Sequence, residues 1–240
     1  MFIVTHSSIA ILCCIITMVG WGSWANTQKL AGKERWPFEL YYWDYAFGVA
    51  ILGIVFCFTL GNFGSAGVSA VANLHSLSTG PVLRALASGA LFNLANILLV
   101  IAIDAAGLSL AFPVGVGLAL VIGTVASYYQ LPKGNPWLLS GGVLLIIFAM
   151  VLSALANSRV GRERLTRTSR GLIFAIAAGC LMGFFYPQLM LSVSPNFNTA
   201  PIQAGYLTPY TALLLFGLGL LASNVIVNTI FMRSQGSTFA

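Results

Sequence analysis

Seven stretches of this chain run almost without a charged residue for about the 20 positions that a helix needs to cross the hydrocarbon of a bilayer. They are residues 6–26, 42–61, 83–104, 107–129, 136–157, 171–192 and 208–232. The runs are continuous, not alternating, so they predict α-helices and not the period-two strands of a membrane barrel. The first run has neither a basic leader nor a small-residue cleavage site, and reads as a permanent span and not a signal peptide. The expected fold class is an all-α polytopic membrane protein with seven transmembrane helices.

Composition points the same way. Of 240 residues, 58% are hydrophobic and 7% charged, where a soluble domain carries about a quarter charged residues. A soluble fold of this length could not hide so much apolar surface, so the lipid bilayer is the first partner. The net charge of +6 could suggest nucleic acid, but its distribution speaks against that partner. Lys29, Lys33 and Arg35 lie between the first two runs. Arg159, Arg162, Arg164, Arg167 and Arg170 lie between the fifth and sixth, and Arg233 closes the seventh. With alternating spans all nine fall on one side, leaving Arg84 and Lys133 on the other. The positive-inside rule then places the basic loops in the cytoplasm and the N-terminus outside, in a plasma or inner membrane.

A weak internal repeat refines the organisation. With Gly20 placed on Gly183, "ILCCIITMVGWGSWAN" overlies "FAIAAGCLMGFFYPQL", and after one gap "YYWDYAFGVAILG" overlies "GYLTPYTALLLFG". Five spans separate the copies, and an odd number makes the second copy enter the membrane from the opposite side. Inverted repeats of this kind are a transporter device, with the substrate near mid-membrane at the repeat interface. The expected arrangement is a truncated ten-helix, five-plus-five transporter. Residues 1–157 form the first repeat, 158–170 a basic cytoplasmic linker, and 171–240 the first two helices of an incomplete second repeat.

Polar residues inside spans are costly and face a cavity or another helix. Gly89, Asn93, Asn96 and Asp104 share one face of the third run, and Asn224 and Asn228 sit one turn apart in the seventh. The expected solute-lining residues are Trp21, Trp24, Asn26, Asn93, Asn96, Tyr186, Gln188 and Asn224. Aromatic faces can stack on a flat ring or a sugar, and carboxamides can pair with carbonyl and N–H groups. Asp44 and Asp104 are the candidates for proton coupling, although both lie at span boundaries, where an acid can stay hydrated. Cys13, Cys14, Cys57 and Cys180 lie in apolar runs without metal-ligand spacing, and His6 and His75 fall outside the spans. No catalytic constellation, metal site or cofactor motif is read from the chain, and an enzyme is not expected.

These residues carry a resemblance. "GWGSWANTQKL" followed by "YYWDYAFGVAILG", and "ALFNLANILLVIAIDAAGLSLAFPVGVGLALVIGT" from Ala90 to Thr124, resemble the ureide permease family. That family is related to glucose/ribose porters within the drug/metabolite transporter superfamily. The likeness covers roughly residues 9–157. It implies ten spans in two inverted halves and carriage of small polar solutes such as allantoin, uracil or sugars, often with protons. The alternatives are a drug/metabolite exporter of other specificity and a seven-helix receptor-like protein. For the latter, Lys29, Lys33 and Lys133 all fall in loops, where none could hold an in-membrane retinal.

Overall fold

A computed structural model describes residues 1–33, 37–158, 165–199 and 201–236. Arg35, Arg159, Arg162 and Arg164 of the topology argument lie outside the described residues. Among the described residues eight helices follow one another: α1 (Ser7–Lys33), α2 (Phe38–Phe58), α3 (Ala70–Leu74), α4 (Thr79–Ala106), α5 (Leu108–Gln130), α6 (Pro136–Ser158), α7 (Leu165–Met190) and α8 (Pro209–Gln235). All but α3 are long and apolar enough to cross a membrane. The protein is an all-α integral membrane protein. Among the described residues the only β pairing is two isolated bridges, Leu77 with Gly205 and Val193 with Leu207.

Two helices, α1 and α7, outrun the apolar runs that predicted them by the most residues at a single end. α1 continues past residue 26 to Lys33, and α7 begins at Leu165 instead of 171. Hydropathy marks the membrane crossing, not the helix. "TQKLAGK" contains Gln, Lys, Leu and Ala, which favour helix without needing lipid. The Thr27 hydroxyl also lies 2.8 Å from the Tyr41 hydroxyl, joining the extended end of α1 to the start of α2. Between α4 and α5 the chain spends a single residue on the turn. Gly107 takes it at φ +85°, a left-handed conformation that other residues rarely adopt.

The chain folds as two compact units, Met1–Leu86 with Ser192–Ala240, and Ala87–Leu191. They do not follow the repeat boundary near 158–170: helices from both sides of it pack together in each unit.

The second unit is built on α5 against α7, with α6 also on α5. Small residues recur every fourth position on both partners, Gly115, Ala119 and Gly123 on α5 and Ala175, Gly179 and Gly183 on α7. This spacing lets backbones approach and replaces the hydrophobic drive that lipid removes. The approach is close enough that a Cβ on Gly179 would stand 2.6 Å from the Gly115 carbonyl oxygen. One on Gly183 would stand 2.6 Å from Ile122 Cβ. Residue numbers rise together along the seam, so α5 and α7 run parallel.

The first unit is built on α2 against α8, which run antiparallel. The seam passes from Asn228 at Glu39, through Gly217 at Ala50 and Gly53 at Leu213 and Leu214, to Cys57, Ala70 and Leu214. At its far end a polar cap replaces sheet. Asn73, fully buried, donates from Nδ2 to the Tyr206 carbonyl and accepts the Thr208 amide on Oδ1, each at 2.9 Å. Thr208 in turn caps α8 by accepting the Thr211 amide. The N-terminal ammonium donates to the Ala66 carbonyl, and Tyr210 Oη donates to the Phe2 carbonyl.

Candidate functional site

The α2–α8 seam gathers polar groups between apolar spans. α2 turns Glu39, Tyr42, Ala46, Ala50, Gly53 and Cys57 inward, spaced by three and four so that they form one face. The small residues in the middle of that face allow α8 to come close. The same face carried back by two turns reaches Tyr42 and then Glu39, so helical geometry draws both into the seam. Glu39 is only 7% exposed, although it occupies the first turn of its helix, where an acid usually sits near water and complements the helix dipole.

From the other side α8 contributes Asn224 and Asn228, both fully buried. Asn228 Nδ2 donates to the Glu39 main-chain carbonyl at 2.8 Å. Asn228 Oδ1 accepts nothing, and neither Nδ2 nor Oδ1 of Asn224 has a hydrogen-bond partner. Counted along the antiparallel seam from Asn228 opposite Glu39, Asn224 lies level with Tyr42 and Trp43. Tyr42 is 1% exposed and stacks on Tyr45 at 5.3 Å, with Phe38 at 5.2 Å on another side. Phe38 also meets Phe231 edge-on at 6.4 Å. Carboxamide groups and aromatic faces therefore occupy neighbouring levels of one seam. A buried polar atom without a partner costs about 1–3 kcal/mol, so three of them on one helix stripe mark a place built for polar contact.

The expected solute-lining residues divide between the two units. In the first, Trp21 and Trp24 are half-buried, with Trp24 at 6.5 Å from Tyr45. Asn26 is exposed, and Asn224 lies in the seam. In the second, Asn93 and Asn96 are buried on α4. Asn96 Nδ2 bonds to the Phe92 carbonyl of its own helix at 2.9 Å, so half of its carboxamide is already engaged. Phe92 meets Phe185 of α7 edge-on at 4.8 Å, while Tyr186 and Gln188 are exposed. Of the two coupling candidates, Asp44 and Asp104 are both exposed, whereas Glu39, an acid that the sequence reading passed over, is buried. "WPFEL" reads as a helix start with an ordinary first-turn acid. The signal that could have found Glu39 is the spacing of Ala46, Ala50, Gly53 and Cys57 extended backwards along the helix.

Among the described residues no group of three or more His, Cys, Asp or Glu side chains could hold a metal ion. Comparison of the chain with protein-family models, with curated proteins and with solved structures finds no match in any of the three.

Proposed function

We propose that this protein is a secondary transporter of small polar solutes, ureide- or nucleobase-like compounds such as allantoin and uracil, or sugars. In this reading the N-terminus lies outside and the basic loops lie in the cytoplasm. One observation supports it above the rest. The sequence repeat pairs Gly53 with Gly217, Val49 with Leu213 and Ala50 with Leu214. A Cβ on Gly53 would meet the backbone of Leu213 and Leu214, and one on Gly217 would meet that of Val49 and Ala50. Residues paired by the repeat thus face one another across the antiparallel α2–α8 seam, an arrangement compatible with a two-fold axis lying in the membrane plane.

Inverted-topology repeats related by such an axis are characteristic of secondary transporters, in which the substrate lies near mid-membrane at the repeat interface. The buried carboxamide of Asn224 and the aromatic residues of the α2–α8 seam suit a flat solute that carries both donors and acceptors.

The test is uptake of labelled allantoin, uracil and glucose by cells displaying the protein at their surface. Saturable accumulation of one of them is the expected result. No accumulation of any, with surface expression verified, would overturn the named solute classes.

A further inference from the structure

We propose that α1 is a strap poised to close on α2, extending the short seam made at Thr27 and Trp24 along both helices. The inference is drawn from these two helices and does not depend on the transporter reading.

α1 is fastened to the first unit near both of its ends. At one, the Thr27 hydroxyl lies 2.8 Å from the Tyr41 hydroxyl, and Trp24 meets Tyr45 at 6.5 Å. At the other, the Phe2 amide donates to the Leu60 carbonyl at 2.8 Å, and residues 3–6 lead without helix into Ser7. Between these ties every residue from Ser7 to Gly20 is exposed. A Cβ on Gly20 would meet nothing of a neighbouring helix within 4 Å, and the same holds for Gly48 of α2.

The open stretch is nevertheless patterned as a continuation of the seam. In alternating steps of three and four from Thr27 and Trp24, the same face of α1 carries Gly20, Thr17, Cys13 and Ala10. From Tyr41 and Tyr45 the same face of α2 carries Gly48, Leu52 and Val55. The two helices run antiparallel. Counted from Thr27 opposite Tyr41, Gly20 therefore comes level with Gly48, and Cys13 with Val55. Alternating steps of three and four are the spacing of helices that pack at a shallow angle. Small residues let membrane helices close on each other. They fall on this face of α1, while Ile11, Ile15 and Met18 lie on the opposite one. Thr17 already donates to the Cys13 carbonyl of its own helix at 2.8 Å, so closure strands no hydroxyl there.

The tie at Trp24 also carries the movement inward. Trp24 bears on Tyr45, which stacks on Tyr42 of the α2–α8 seam at 5.3 Å. A swing of α1 about that tie therefore works against the seam. A ligand lodged between α1 and α2 holds the strap open, and an empty gap lets it shut.

The experiment is oxidative cross-linking of the full chain in membranes, with Cys14→Ala leaving Cys13 as the thiol of α1. A disulfide needs Cβ atoms about 3.5–4.5 Å apart, so the bond forms only when the helices meet. Val55→Cys should acquire an intramolecular bond to Cys13, identified by peptide mass spectrometry and lost on Cys13→Ala. Gly20→Leu should weaken that bond severalfold, because the larger side chain stands between the helices. If Val55→Cys fails to fold, Gly20→Cys with Gly48→Cys asks the same question at positions with open space. Met18→Cys with Gly48→Cys, on the far face of α1, is the control and should not link. No bond in either seam pair overturns the strap, as does equal linking of the control. A bond from Cys13 to a second chain also overturns it, since another copy would then cover this face.

Discussion

Gly53 of α2 and Gly217 of α8 lie against each other's helices in matching fashion. A Cβ on Gly53 would stand 3.1 Å from the Leu213 carbonyl oxygen, and one on Gly217 would stand 3.2 Å from the Val49 carbonyl oxygen. Both obstacles are backbone, which cannot swing away as a side chain can. Gly53→Ala and Gly217→Ala should each destabilise the protein by about 1–3 kcal/mol through overpacking. Because both changes push the same two helices apart, the double variant should cost less than the sum. Thermal unfolding in detergent of both single variants and the double variant measures this directly, and full additivity would show that the two contacts are independent.

The α5–α7 seam supplies a contrast between glycines that the sequence repeat aligns. Gly183→Ala would place a methyl group against the β-branched Ile122, whereas Gly20 has nothing within 4 Å of its Cβ position. Gly183→Ala should therefore lower the unfolding midpoint by several degrees, about the shift expected for 1–2 kcal/mol in a chain of this size. Gly20→Ala should leave it unchanged or raise it, since alanine favours helix over glycine by about 1 kcal/mol. Equal losses at the two positions would contradict the packing described.

Asn73 uses both ends of its carboxamide to tie α3 to the segment leading into α8. Asn73→Ala should cost about 1–3 kcal/mol and leave the Thr208 amide without its acceptor. Asn73→Asp keeps that acceptor but sets a buried carboxylate oxygen against the Tyr206 carbonyl in place of the donor, so its cost should be at least as large. Hydrogen exchange at Thr208 separates the two variants: the amide should exchange faster in Asn73→Ala and stay protected in Asn73→Asp.

If the protein carries solute, Asn224 and Asn96 should differ in what they contribute. Asn96 already spends its N–H on the Phe92 carbonyl, while Asn224 has both atoms unspent. Asn224→Leu should raise the KM for uptake by about tenfold, the effect of losing one good polar contact. Asn96→Leu should raise it by less. A larger effect at Asn96 would move the solute site to α4.

Much of this molecule is legible from its polarity alone. Lipid is a solvent in which a backbone must satisfy its own hydrogen bonds, so a run of about 20 apolar residues can only be a helix, and all seven runs are. The small residues of α5 and α7 are equally visible in the chain, because a repeat of four residues on a helix is one face. Which partner such a face meets is not a local property. Nothing in the sequence says that α5 pairs with α7 or α2 with α8, and the compact units accordingly cut across the repeat boundary that the sequence suggests.

Polar residues show the same division more sharply. Asn93, Asn96 and Asn224 stand out in the sequence because an amide in an apolar run is conspicuous, and all three are buried. Glu39 does not stand out, since a first-turn acid beside a proline is commonplace. Its burial follows from the approach of α8, and Asn228 reaching across the seam to its carbonyl is a contact between residues 189 positions apart. Asp44 is as conspicuous as any acid in the chain, yet it sits on the exposed side of the same helix, five positions from Glu39. Helix phase separates the two acids, and helix phase acquires meaning only when a neighbouring helix has been placed. The chain's polarity settles that it spans a membrane and where it crosses; the meeting of α2 with α8 settles which charge is withdrawn from water, because burial is a property of two surfaces and polarity is a property of one.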